Sequence, residues 1–308
     1  MTSRNFRHIR FWLIGLMLMV LFPTMASAQV VGNGYNNSLI YKIQGTHNTV
    51  YLLGSIHVLA EEYYPLTRAF SYAYYDSSKV VFEIDPEILF STSIPRKFEN
   101  ILKLPSGQTL ENILSPKTYR LLKTRCEKMR VPWNKIHHYK PWVMYLLLGV
   151  PFDSSMEFRA DLGIENHFYR MAQDAGKETG GLESIQDQLN VFEKLSWKEQ
   201  DQLLLDLLLI RNSKDHQKAF LQLVKDWHKG NLEGLEDMVE AQKKYPKFYK
   251  AMLADRNRNW LPQIETFLTE KTNILVVVGA AHLAGEDGLI ALLNEKGYTL
   301  ERVSFARP

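Results

Sequence analysis

One short phrase is written twice in this chain, near opposite ends, and the repeat constrains the fold more than any other feature. Gly54-Ser55-Ile56-His57 follows the apolar run Val50-Tyr51-Leu52-Leu53, and Gly279-Ala280-Ala281-His282 follows Ile274-Leu275-Val276-Val277-Val278. Each reads as a buried strand that ends in a glycine turn and delivers a histidine. Glycine is expected to let the backbone turn sharply there, so that the imidazole projects from the strand tip. Ligand sites collect at strand ends in open α/β sheets. Two histidines presented this way are therefore expected to share one site, and histidine is the commonest metal ligand.

The pattern around these phrases predicts a sheet with many helices. Leu39 to Gln44 and Thr49 to Leu53 read as two strands joined by the tight connection Gly45-Thr46-His47-Asn48. Leu59 to Ser78 reads as a helix, and Lys79 to Ile84 as a buried strand stopped by Pro86. Ser115-Pro116 opens a helix through Arg130, with proline at a favoured first position. Tyr139 to Val150 is strongly apolar, too short to span a bilayer, and is expected to be a core helix. Asp161 to Ala175 is amphipathic and stops at Gly176, and Glu178 to Leu182 is a strand candidate. Ser184 to Leu268 reads as helical throughout, punctuated at Gly230-Asn231 and Tyr245-Pro246. Ile274 to Val278, Gly288 to Lys296 and Tyr298 to Val303 read as strand, helix and strand. The expected fold class is α+β: a central sheet, flanking helices and a long helical insertion at about 184–268. The simplest organisation is one domain over 29–308, and two domains divided near Ser184 is the alternative.

The first 28 residues read as an export signal. Arg4, Arg7 and Arg10 precede an apolar stretch from Phe11 to Phe22, and Ala26-Ser27-Ala28 supplies a small-residue cleavage pattern before Gln29. The expected location is periplasmic or secreted, with no stable membrane anchor after cleavage. Removing three arginines from a formal net charge of +3 leaves a formally neutral chain. The basic footprint of a nucleic-acid binder is then missing. Cys126 is the single cysteine, so no intramolecular disulfide forms; its charged helical context would suit a reactive thiol, but the preferred reading is a small buried or half-buried residue.

Beyond the two histidines, Glu83 closes the third strand after Val80-Val81-Phe82, where it is either solvated at the sheet edge or aimed at the same cleft as His57. Asp85 lies beside it and would point to the same side in an extended segment, but reads rather as a cap or surface acid before Pro86. Glu183, after Gly180-Gly181-Leu182, reads as another strand-end acid or as a helix-start acid favoured by the macrodipole. Arg256-Asn257-Arg258-Asn259 precedes the last core strands; an arginine there would suit an oxyanion, but on its own reads as a solvated helix face. His137, His138 and His167 lack partners at metal spacing, and His47, His216 and His228 read as turn or surface residues. No His-Glu-x-x-His helix, Gly-x-Ser-x-Gly elbow or Walker loop is present.

Taken together these residues resemble the TraB/PrgY/GumN family, the group that includes the Tiki metalloproteases. The segments that carry the resemblance are Tyr51 to Val58, Val81 to Asp85, Asp161 to Glu165, Gly181 to Ile185 with Gln186 and Gln188, Asp255-Arg256-Asn257, and Val278 to Leu283 followed by Gly285 and Gly288. The family position matching Glu165 is more usually aspartate. The resemblance implies a fold shared with erythromycin esterases and haem-binding ChaN-like proteins. It implies a divalent-metal-dependent hydrolase, peptidase-like, using manganese, cobalt or zinc. His57, Glu83 and His282 would be the metal ligands, with Glu83, Arg256, Asn257 and Glu183 as catalytic residues. The substrate would be a peptide or small molecule. The other expectations it raises are a non-enzymatic haem- or ligand-binding protein of the same fold, and an accessory factor in polysaccharide export.

Overall fold

The computed structural model describes residues 38–90, 100–149, 158–210 and 214–305. The export segment and its cleavage point lie outside them. The described chain falls into two compact units. Residues 38–88, 158–184 and 219–305 make a sheet unit, and residues 89–90, 100–149, 185–210 and 214–218 make a helical unit.

The sheet has six strands: β1 Ile40–Gln44, β2 Thr49–Ser55, β3 Lys79–Phe82, β4 Glu178–Gly181, β5 Ile274–Gly279 and β6 Leu300–Arg302. Their order is β4-β3-β5-β2-β1-β6. β4, β3, β5 and β2 run parallel, and β1 is antiparallel to both β2 and β6. β5 joins the two halves from the far end of the chain, pairing with β2 on one side and β3 on the other. All six of its residues are buried, which is why it reads as a continuous apolar run and not as an alternating one. Trp260, Ile264 and Leu268 of the Asp255–Phe267 helix and its end pack on Leu52, Val276 and Val278, with Leu289 and Leu293 from the Leu289–Glu295 helix. Full burial of each such side chain contributes about 1.5–3 kcal/mol.

The expected elements form with adjusted ends. The predicted helix from Leu59 to Ser78 is the largest departure: only Arg68–Asp76 is α-helical, preceded by a short 3-10 turn at Glu61–Tyr63. Pro65 explains the difference, because it lacks an N–H and disfavours the helical region for the residue before it. The apolar stretch after Tyr139 begins its helix at Pro141 and runs to Gly149, with Trp142, Val143, Met144 and Leu146 buried within the helical unit. The predicted helix at Ser115-Pro116 runs over Pro116–Lys128, capped by the Ser115 hydroxyl, and Cys126 on it is buried. Gly176 ends the Ile164–Ala175 helix in the left-handed conformation, at φ 63°. Among the described residues from Ile185 to Phe267 every regular element is helical. Among the described residues no helix is long and apolar enough to cross a membrane.

Candidate functional site

Strand register decides which side chains meet. The carboxyl ends of β2, β3, β4 and β5 lie along one edge of the sheet, and each is followed within a few residues by a predicted site residue. Phe82 pairs with Val277 on one side and Gly181 on the other. Glu83 therefore emerges between the ends of β5 and β4, and its carbonyl accepts the Glu183 N–H at 2.9 Å. Two glutamates on neighbouring strand ends need a cation between them, and Arg256 supplies it.

Arg256 enters from the first turn of the Asp255–Phe267 helix, directly after a π-helical turn at Lys250–Ala254. Such turns recur at functional sites. The solvated helix face expected for this arginine is not what forms: it is 4% exposed. The reason is the charge pair it must neutralise. Nη2 donates to Glu83 Oε2 at 2.5 Å and to Glu183 Oε1 at 2.8 Å. Nε donates to Glu183 at 3.1 Å, and Nη1 donates to the Met252 carbonyl and to His282 Nε2, each at 3.0 Å. A guanidinium has five N–H groups, and these contacts engage all of them. The oxyanion role considered for Arg256 is therefore left without a spare donor in this arrangement.

His282 is fully buried in the 3-10 turn that follows β5. Asn257 fixes its tautomer. The Asn257 side-chain N–H groups donate to the carbonyls of His282 and Asp287, at 3.2 and 2.7 Å, which turns its Oδ1 toward His282 Nδ1 at 2.6 Å. Nδ1 thus carries the proton, and Nε2 accepts from Arg256. Burial pushes the His282 pKa down to about 3, and the Arg256 charge acts in the same direction. The imidazole is neutral at physiological pH. Glu83 goes the other way. Burial alone would raise its pKa, but the Arg256 guanidinium, together with the two histidines and the Gly279 N–H, outweighs burial and holds it at about 2. Its other oxygen, Oε1, accepts the Gly279 N–H at 2.8 Å.

His57 is presented differently from His282, although the two phrases match in sequence. Gly54 pairs with Val278 and Ser55 with Gly279, so the phrases are offset by one residue across the sheet. Gly54 lies inside β2 and does not make the turn expected of it. It is small because the other phrase packs on it: a Cβ there would lie 2.9 Å from Leu283 and 3.1 Å from the Ala280 Cα. His57 remains part-exposed, and its Nδ1 lies 2.8 Å from Glu165 Oε1. Burial would lower its pKa, yet the charge and hydrogen bond of Glu165, with the charge of Glu83, together outweigh burial and raise it above 6.5. The opposite nitrogen, Nε2, is buried with no hydrogen-bond partner among the described residues.

The six predicted site residues all belong to the sheet unit. Glu83, Glu183, Arg256, Asn257 and His282 form one bonded cluster, and His57 lies close enough to feel the charges of Glu83 and Arg256. Asp85 is the cap it was expected to be, accepting the Glu87 N–H at 3.0 Å. Trp260 and Ser55 were not anticipated. Trp260 Nε1 donates to Glu183 at 3.1 Å, and its ring packs on His282 and under Arg256. Its position one helical turn after Arg256 was the available signal.

A metal set at His57, Glu83 and His282 does not fit the side chains as they stand. His57 Nε2 is open. The single lone pair of His282 Nε2 is taken by Arg256, as is one oxygen of Glu83. Among the described residues no group of three or more histidine, cysteine, aspartate or glutamate side chains is placed to hold an ion.

The TraB/PrgY/gumN family model matches residues 39–302. Among curated proteins the chain is similar to Metalloprotease TIKI1 of Danio rerio, 23% identical over 84% of this chain and 62% of that protein. It is similar to Metalloprotease TIKI2 of Xenopus tropicalis, 21% identical over 86% of this chain and 60% of that protein. An uncharacterized protein of Treponema pallidum is 20% identical over 92% of this chain and 90% of its own length. The chain thus spans about three fifths of the length of the Tiki relatives. No solved structure matches. With strand-end histidines, glutamates and a buried arginine in a segment that the family model covers almost end to end, this chain belongs to the TraB/PrgY/GumN family.

Proposed function

We propose that this chain is an exported hydrolase, peptidase-like, that works at the strand-end cluster, with His57 Nε2 as the group that meets the reacting water. The open, buried Nε2 of His57 is the observation that carries this reading. A buried imidazole nitrogen without a partner costs free energy in the resting protein, and a site built to accept a proton or a ligand there recovers it. As a general base His57 takes a proton from water held at Nε2, and the imidazolium so formed is stabilised by Glu165 on Nδ1. Arg256 keeps Glu83 ionised and fixed in place beside the reacting centre. His282 and Asn257 hold the arginine in place and stay neutral.

The names of the Tiki relatives support a divalent ion as cofactor. Manganese, cobalt or zinc would supply an activated water, and its use of His282 requires Arg256 to give up Nε2. The substrate class proposed is a peptide, without nucleic acid.

The test is turnover of a peptide library by the mature chain and by His57→Ala, each after chelation and after addition of Mn2+, Co2+ or Zn2+, with metal content measured alongside. The expected result is loss of turnover in His57→Ala by at least 10²-fold with the fold intact. Unchanged turnover in that variant sinks the proposal. Activity restored only by added ion assigns the water to the metal.

A further inference from the structure

The loop that carries His57 is stitched to the segment that leads into Glu165. Leu59 and Arg159 exchange both backbone hydrogen bonds, at 3.1 and 2.9 Å. The Ile164 N–H donates to the Ile56 carbonyl at 3.0 Å, and the Tyr64 hydroxyl donates to the Leu162 carbonyl at 2.7 Å. Gly163 sits between these contacts, directly under His57. A Cβ at 163 would lie 2.2 Å from the His57 carbonyl oxygen. Its φ of −61° is open to any residue, so close approach is what requires glycine here.

This backbone contact sets where the next helix begins, and Glu165 is the second residue of that helix, Ile164–Ala175. A carboxylate in the first turn is favoured by the helix dipole. Its Oε1 faces His57 Nδ1 at 2.8 Å and also accepts the hydroxyl of buried Ser55, the last residue of β2. An ionised carboxylate only accepts. The nitrogen facing it must carry hydrogen, which puts the lone pair of a neutral His57 on Nε2. That is the nitrogen found buried without a partner.

We propose that Glu165 is a positioning residue. Together with Ser55 it holds His57 in the tautomer protonated at Nδ1, so that Nε2 is the nitrogen offered to water or to an ion. The proposal rests on the reading of His57 as the reactive residue, and adds what makes one of its nitrogens reactive.

Ring-nitrogen NMR of histidine-labelled protein at pH 9 tests it, with His57 identified by its absence from the spectrum of His57→Ala. The wild type is expected to show the Nδ1–H form. Glu165→Leu, which keeps bulk but offers no acceptor, is expected to shift His57 toward the Nε2–H form. Glu165→Gln, which retains an acceptor oxygen, restores part of the original population. In the peptide assay Glu165→Leu lowers kcat about 10²-fold or more with KM nearly unchanged. A wild-type His57 in the Nε2–H form, or a tautomer indifferent to Glu165→Leu in a folded chain, overturns the proposal. A tautomer that shifts as expected in a chain that hydrolyses nothing upholds the role of Glu165 and removes the hydrolase reading instead.

Discussion

Replacing Arg256 by methionine keeps much of the side-chain volume and removes the charge. The structure then leaves Glu83 and Glu183 buried side by side without their shared cation, and leaves His282 Nε2 without its donor. Breaking a buried ion pair from one side costs about 3–5 kcal/mol. The Glu83 carboxyl gives a second, independent scale. Its pKa stands at about 2 against an ordinary 4.5, and at about 1.4 kcal/mol per pH unit that is on the order of 3 kcal/mol. In the wild type this stabilisation is fully present above about pH 4.5 and is lost only as pH falls through about 2. Between pH 7 and 5 the wild-type contribution of Glu83 is therefore flat. In Arg256→Met the largest of the groups that oppose burial is gone, leaving the histidines and the Gly279 N–H, and the Glu83 pKa is expected to rise above 4.5. The folded variant then takes up a proton that its unfolded chain does not, and recovers stability as pH falls from 7 to 5. Urea unfolding followed by hydrogen exchange of the β5 peptide at the two pH values reads the sheet unit alone. The expected deficit is about 3–5 kcal/mol at pH 7 and smaller at pH 5. A deficit under about 1 kcal/mol at pH 7, or one equal at both pH values, refutes the account of Arg256 as the cation that this cluster requires.

Three further outcomes follow from local geometry. Gly163→Ala forces the loop of His57 away from the helix start, since its Cβ would meet the His57 carbonyl oxygen at 2.2 Å; thermal unfolding should show a loss of about 1–3 kcal/mol, with hydrogen exchange rising at residues 56–59. Asn257→Leu removes the amide that the carbonyls of His282 and Asp287 and the His282 Nδ1 all bond; it should destabilise by about 2–5 kcal/mol, and a melting temperature within one degree of wild type would contradict the tautomer assignment. Cys126 is buried with its thiol pushed up to about 12, first by burial; it should resist a thiol reagent at pH 8 until the helical unit is unfolded, and rapid native labelling would show that burial to be wrong.

The strands were legible because burial on both faces leaves unbroken apolar runs. Val50 to Leu53 and Ile274 to Val278 could be read without a partner in view. The strand-end histidines and Glu83 were legible for the same reason, since a polar residue closing such a run stands out. Arg256 stood out only through the Asp255-Arg256-Asn257 motif of the family resemblance, because nothing local distinguishes an arginine aimed at two carboxylates from one in water; its burial follows from the β3–β4 register, a long-range fact. Glu165 was visible as a motif residue without a role, because its partner His57 is more than a hundred positions away. The glycine of the first phrase was read correctly as important and incorrectly as a turn. Only the packing of Ala280 and Leu283 on Gly54 reveals that it makes room.

The saturation of Arg256 divides the site into two walls of unequal adaptability. On one wall, two glutamates, a histidine, a backbone carbonyl and an indole converge on a single guanidinium with no donor to spare. A substitution there disturbs several bonds at once, so that wall resists gradual change. The other wall is a short loop, His57 at its tip, held largely by backbone bonds that tolerate many side chains away from Ser55, Tyr64, Gly163 and Glu165. New substrate preferences in chains of this kind should therefore accumulate around residues 56–64 and 158–165, while the arginine side is inherited as a block.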